Sequence, residues 1–258
     1  MDISLILAAG LIALVGLPHG AMDPVIAHRV GLIKNALSAV QFIVVYLLLV
    51  AFVVGVWLIA PTFALIGFLL ISAVHFGRDW QRRVRLGGFP YGVFILGLPG
   101  LTDPNAVGQI FGFLMFGDDP APVVRVAQAM GIAGCVLMAF EFRRLSVASL
   151  VELALLVAVA WSVEPLWYFV IYFCGLHSPR HLIPEFSKLK SSTRLNAFVV
   201  TLVTTIATLA LALGVGSQIE ARYQDVNILI FQLLFIGLAA LTVPHMCLIE
   251  WVARRGAH

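Results

Sequence analysis

The sequence predicts an all-α fold: a polytopic integral membrane bundle of about nine transmembrane helices plus one interfacial helix, a single domain over residues 1–258. Three observations carry that expectation. Of the 258 residues, 61% are hydrophobic and only 11% charged, whereas soluble domains run near a quarter charged. The mean hydropathy is +1.03. Apolar runs approaching the roughly 20 residues needed to cross hydrocarbon recur along the chain. The same arithmetic excludes a nucleic-acid partner, because 16 basic against 13 acidic residues leave a net charge of only +3, with the basic residues dispersed. Cys135, Cys174 and Cys247 all fall inside apolar runs, so no disulfide framework is legible, and Cys174 and Cys247 read as small buried thiols.

The spans fall near residues 3–18, 36–59, 61–77, 87–101, 122–140, 148–163, 165–183, 196–216 and 226–252. Pro61 and Pro165 open theirs, where proline is tolerated because a first-turn N–H has no intrahelical partner. The first segment reads as a retained span, since Met1-Asp2-Ile3-Ser4 lacks the basic start of a cleaved signal. The apolar stretch Pro104–Phe116 is too short to cross. Asp103 can cap it, Pro104 fits its first turn, and Val107, Ile110, Phe111 and Leu114 share one face, which describes a helix lying in the interface, with a buried connector packed on the bundle as the equal alternative. Neither an internal repeat nor a low-complexity linker interrupts the pattern.

Charge tests this count. With nine spans, Arg29 and Lys34, Arg78, Arg82, Arg83 and Arg85, Arg143 and Arg144, Lys188, Lys190 and Arg194, and Arg254 and Arg255 share one side, 13 of the 16 basic residues. Asp103, Asp118, Asp119 and Arg222 fall on the other, with Arg125 at its edge, and Arg180 lies within the seventh span near its basic end. The positive-inside rule then places the N-terminus outside and the C-terminus in the cytoplasm of a multi-pass protein of the cell (inner) membrane.

Of seven histidines, His258 is terminal and His28 sits in the first basic loop, where solvent is expected. The other five, His19, His75, His177, His181 and His245, fall on the first, third, seventh and ninth spans, each in the C-terminal part of its span. At about 1.5 Å rise per residue, all five share one slab in the cytoplasmic half of the bilayer. One such histidine is ordinarily a structural hydrogen-bonding residue. Five at one depth on four helices point to a metal. His177 and His181 are four residues apart, so they share a helix face and can bind one ion, while Pro179 between them should bend the helix. Ligating imidazoles usually hand their other N–H to a carboxylate, and Asp23, Asp79 and Glu250 follow His19, His75 and His245 by four, four and five residues. Pairing with Arg29, Arg78 or Arg254 is their ordinary alternative. Imidazoles suit zinc, iron, copper or nickel, and haem is a competitor. Glu152 is the other costly residue within a span, either paired in the interior or part of the chemistry.

At these same residues the chain resembles the Brp/Blh family of membrane β-carotene 15,15′-dioxygenases. Pro18-His19-Gly20-Ala21-Met22-Asp23, His75-Phe76-Gly77, His177-Ser178-Pro179-Arg180-His181 and Pro244-His245 carry the likeness, in the expected order over nearly the whole chain. Arg78 before Asp79 and Pro24 after Asp23 depart from the family pattern. The resemblance implies an iron-dependent oxygenase using Fe(2+) and O2 to cut a carotenoid into retinal. It implies His19, His75, His177 and His181 as metal ligands, with His245 as a fifth ligand or a catalytic group facing bound oxygen. An apolar carotenoid would enter from membrane lipid, with Phe76, Trp161, Trp167, Tyr168, Phe169, Tyr172 and Phe173 as candidate lining, and the product could pass to a retinal-binding protein. Two other classes fit the histidines: a metal-ion or proton-coupled transporter and a haem-binding electron carrier. A transporter needs polar residues across the outer half, yet Ile3–Val15 and Leu229–Ala240 carry little beyond Ser4 and Gln232.

Overall fold

The computed structural model describes residues 2–219 and 225–255, so Arg222 and His258 lie outside it. Every regular element among the described residues is helical. By length and composition, six helices can cross a membrane: Ile3–Arg29, Ala36–Ile59, Pro61–Trp80, Ala121–Arg144, Ser191–Val215 and Val226–Arg254. Two shorter apolar helices, Leu86–Thr102 and Val147–Ser162, occupy the fourth and sixth expected spans. The chain is a helical, multi-pass membrane protein.

Its described α-helices and π turns are α1 (Ile3–Leu11), a π turn (Ile12–Gly16), α2 (Leu17–Ala21), α3 (Asp23–Arg29), α4 (Ala36–Ile59), α5 (Pro61–Gly77), α6 (Phe89–Thr102), α7 (Pro104–Leu114), α8 (Ala121–Glu141), α9 (Val147–Ser162), α10 (Pro165–Tyr172), a second π turn (Phe173–His177), α11 (Ser178–Ser187), α12 (Ser191–Ile219) and α13 (Val226–Arg255). They form two compact units, one of Met1–Val56 with Phe173–His258 and one of Trp57–Tyr172.

In the first unit, Met22, Ile26 and Ala27 bury against Leu248 of α13, with Phe42 of α4 and Leu182 and Phe186 of α11 packed around them. Arg29 pairs with Glu185 at 2.6 Å, tying α3 to α11. Helix continues past the expected end of the first span to Arg29, because Pro24 fits the first turn of α3. His28 therefore sits on a helix and not in a loop, though it is exposed as expected. The thiol expectation needs correction. Cys247 is exposed and Cys174 only half-buried, because an apolar thiol costs little against lipid and need not face inward.

The second unit is organised around α6, most of which is buried. Gly92 lets α6 meet the Ala73 backbone of α5, and Gly97 lets it meet Gly131 of α8; a Cβ at either would collide with backbone. Small residues permit such approach in membrane bundles, where dispersion contacts replace a hydrophobic driving force. Asp103 caps α7 by accepting from the Ala106 N–H at 3.0 Å. Val107 and Leu114 on its apolar face are buried. Glu152 of α9 is a paired residue. Its Oε1 accepts from Trp80 Nε1 at 3.1 Å and the Tyr91 hydroxyl at 3.0 Å, and its Oε2 accepts from Arg83 at 3.0 Å. Trp80 and Tyr91 stack at 4.3 Å, with the Arg83 guanidinium 5.2 Å from the Trp80 ring centroid.

Candidate metal centre

The first unit gathers four histidines from three separate stretches of sequence. His19 lies on α2, His177 ends the second π turn, His181 lies on α11, and His245 follows Pro244 inside α13. Pro18 and Pro179 each lie just beyond a π turn. Proline cannot donate to the turn ahead of it and crowds the carbonyl four residues back, so a widened turn upstream accommodates it.

Two of the rings have an assigned tautomer. His19 Nδ1 lies 2.6 Å from the Gly16 carbonyl oxygen, which can only accept, so Nδ1 carries the proton. Ser178, fully buried, donates its hydroxyl to the same carbonyl at 3.2 Å and lies 3.2 Å from His19 Nδ1. His245 Nδ1 donates to Asp23 Oδ1 at 2.7 Å, and both side chains are buried. In the neutral form each ring therefore keeps its lone pair on Nε2, the state a metal requires.

Spacing agrees with that chemistry. The His19 centroid lies 5.2 Å from His177, 6.3 Å from His181 and 5.3 Å from His245, and His177 lies 4.6 Å from His181. Imidazoles sharing one ion at about 2.1 Å place their centroids roughly 4.5–6.5 Å apart, depending on the angle between ligands. Phe173 walls one side, stacked on His177 at 5.7 Å and edge-on to His19 at 5.4 Å. The donor set fits a first-row transition metal.

Other sequence-assigned residues fall as follows. His75 is buried and belongs to the second unit, its ring 5.6 Å from Phe76. Asp23, four residues after His19, holds His245 instead; the Gly16 carbonyl serves His19. Asp79 accepts from the Tyr172 hydroxyl at 2.8 Å, and Glu250 pairs with Arg254 at 3.0 Å. Phe76 packs edge-on to Tyr172 at 5.3 Å, and Tyr168 donates to the Ile95 carbonyl at 3.1 Å. Phe169 is half-buried and Trp161 is exposed. Gly16 and Ser178 were not singled out as site residues by sequence reasoning. Ser178 does sit inside the His177–His181 motif, which is the signal that could have found it.

The family profile described as Beta-carotene 15,15'-dioxygenase matches residues 10–253. The chain belongs to the β-carotene 15,15′-dioxygenase family. A relative from an uncultured marine bacterium, 66A03, named Beta-carotene 15,15'-dioxygenase, is 31% identical over 96% of this chain and 93% of its own length. No solved structure matches the chain. Membership in this dioxygenase family accords with the histidine motifs, all of which lie inside the matched residues.

Proposed function

We propose that the protein is an iron-dependent carotenoid oxygenase that splits β-carotene, or a related carotenoid, at the central 15,15′ double bond with O2 to give retinal. The observation that carries this reading is the cluster of His19, His177, His181 and His245 in a chain of this family. The double bond breaks and each of its two carbons takes one oxygen atom, so two aldehydes form. Fe(2+) supplies the redox chemistry toward O2 that zinc lacks.

The rest of the work belongs to the chain. Neutral imidazoles leave the ion its charge, with His19 held by the Gly16 carbonyl and His245 by Asp23. His19, His177 and His181 are assigned as ligands, and His75 is assigned with them on its sequence motif. His245 is a further ligand or the group facing O2, and the iron content of His245→Ala separates those roles. Selecting one double bond among many similar ones is a positioning task, for which buried aromatic walls suit a rod-shaped apolar substrate entering from lipid. Phe76, Tyr168, Phe169, Tyr172 and Phe173 are proposed to line its path. The N-terminus outside and the C-terminus in the cytoplasm of the cell membrane complete the reading, with retinal released to a retinal-binding protein.

Expression in cells that make β-carotene tests this. The expected result is loss of orange colour and accumulation of retinal. Persistent β-carotene beside a folded, iron-loaded protein would overturn the assignment.

A further inference from the structure

We infer that Tyr46 is a positioning residue for the metal centre, acting through Asp23 on His245. The Tyr46 hydroxyl donates to Asp23 Oδ2 at 3.0 Å, while Asp23 Oδ1 accepts from His245 Nδ1 at 2.7 Å. One carboxylate thus joins α4 to α13 from the start of α3. The polarity of the chain is fixed by chemistry. An ionised carboxylate only accepts, so the phenol and the imidazole both donate to it.

A carboxylate held through one oxygen can rotate and exchange its oxygens, carrying the imidazole with it. A second donor on the other oxygen removes that freedom. Asp23 is buried, where hydrogen bonds to a charged group are strengthened by the low dielectric. The ring that Asp23 fixes is His245, whose centroid lies 5.3 Å from that of His19.

The sequence gives this role independent support. Between Phe42 and Val56, Tyr46 is the sole side chain able to hydrogen-bond. A hydroxyl in the middle of a lipid-spanning helix is costly without a partner and tends to face the protein interior. Tyr46 is half-buried, while its neighbours Val45, Leu47 and Leu48 are exposed. Phe42, one turn earlier and 5.8 Å from the Tyr46 ring, packs on the cluster formed by Met22, Ile26, Ala27 and Leu248. The face that α4 turns inward is the face that carries the phenol.

This inference rests on the metal reading above, and its test separates the two. Full-length protein in detergent micelles is stripped, reloaded with Co2+, and followed by visible absorption while a chelator removes the metal. Loss of an outer partner typically weakens a metal site about 10–100-fold. Asp23→Asn should therefore release Co2+ about 10–100-fold faster than wild type, and Tyr46→Phe faster by about 3–10-fold, below that range because it acts one bond further out. The double variant should match Asp23→Asn within about twofold, since the other contact of the Tyr46 hydroxyl, the Leu241 carbonyl at 3.5 Å, is too long to hold the ring. Melting of the metal-free proteins separates a weakened site from a weakened fold. Replacing Tyr46 with 4-aminophenylalanine, which keeps a donor at the ring's far end, should restore slow release, and it decides alone if Tyr46→Phe does not fold. Wild-type protein that takes up no metal would sink the metal reading. Wild-type binding with Tyr46→Phe indistinguishable from it, multiplied effects in the double variant, or no rescue by the amine would sink the inference alone.

Discussion

Gly16→Ala probes how tightly the histidine cluster is held. A Cβ at Gly16 would lie 2.8 Å from Phe173 Cδ1 and closer still to Cε1. Ordinary contact requires the ring to retreat by roughly 1 Å in a core packed as densely as an organic crystal. It has nowhere to go, because Phe173 is 4% exposed, stacked on His177 and edge-on to His19. Overpacking of this kind costs about 1–3 kcal/mol. The same shift disturbs the Gly16 carbonyl that holds His19 and Ser178, and an error of about 1 Å in a positioning element can lower turnover about 100-fold. Three readouts apply: thermal melting in detergent, iron per chain, and retinal formed from β-carotene. The variant should melt lower, hold less iron and make far less retinal. Phe173→Leu added to Gly16→Ala should recover much of the melting loss, because the smaller side chain leaves room for the methyl group. A Gly16→Ala protein with wild-type melting, iron and turnover would refute the packing argument.

The remaining predictions concern ligands, an anchor and topology. His19→Ala, His177→Ala and His181→Ala should each abolish retinal formation and lower bound iron, as should His75→Ala on its sequence assignment, while the exposed His28→Ala should change neither quantity; iron analysis beside a retinal assay checks all five. Glu152→Ala leaves buried donors of Trp80 and Tyr91 without their acceptor and should cost about 1–3 kcal/mol, with Glu152→Gln milder, both read by thermal melting. A reporter fused after Gly256 should read cytoplasmic and one inserted near Asp118 external, as the charge bias requires; the reverse pattern would invert the placement of the histidines.

Hydropathy and punctuation made most of the helices legible, because length, apolarity and proline position are local properties. Pro61, Pro104 and Pro165 mark true helix starts, and Asp103 caps where its spacing places it. That His19, His177, His181 and His245 come together was also legible, since a constant helical rise puts them at matching positions along their helices. What escaped was pairing between distant segments. Asp23 lies four residues after His19, so sequence proximity linked those two, yet its partner is His245, 222 residues away. Glu152 found Trp80, Tyr91 and Arg83 across 61 to 72 positions for the same reason. The π turns at Ile12–Gly16 and Phe173–His177 were invisible because widening one turn leaves composition unchanged. Only the prolines beyond them, Pro18 and Pro179, leave a trace in the sequence.

Metal analysis of purified protein, paired with its turnover of β-carotene, tests the central claim most directly. The expected result is about one non-haem iron per chain, since the clustered imidazoles would furnish a single complete set of ligands, and retinal formation that falls as iron is withdrawn and returns when ferrous iron is restored. Full activity with stoichiometric zinc in place of iron, or a haem Soret band accompanying the activity, would contradict it.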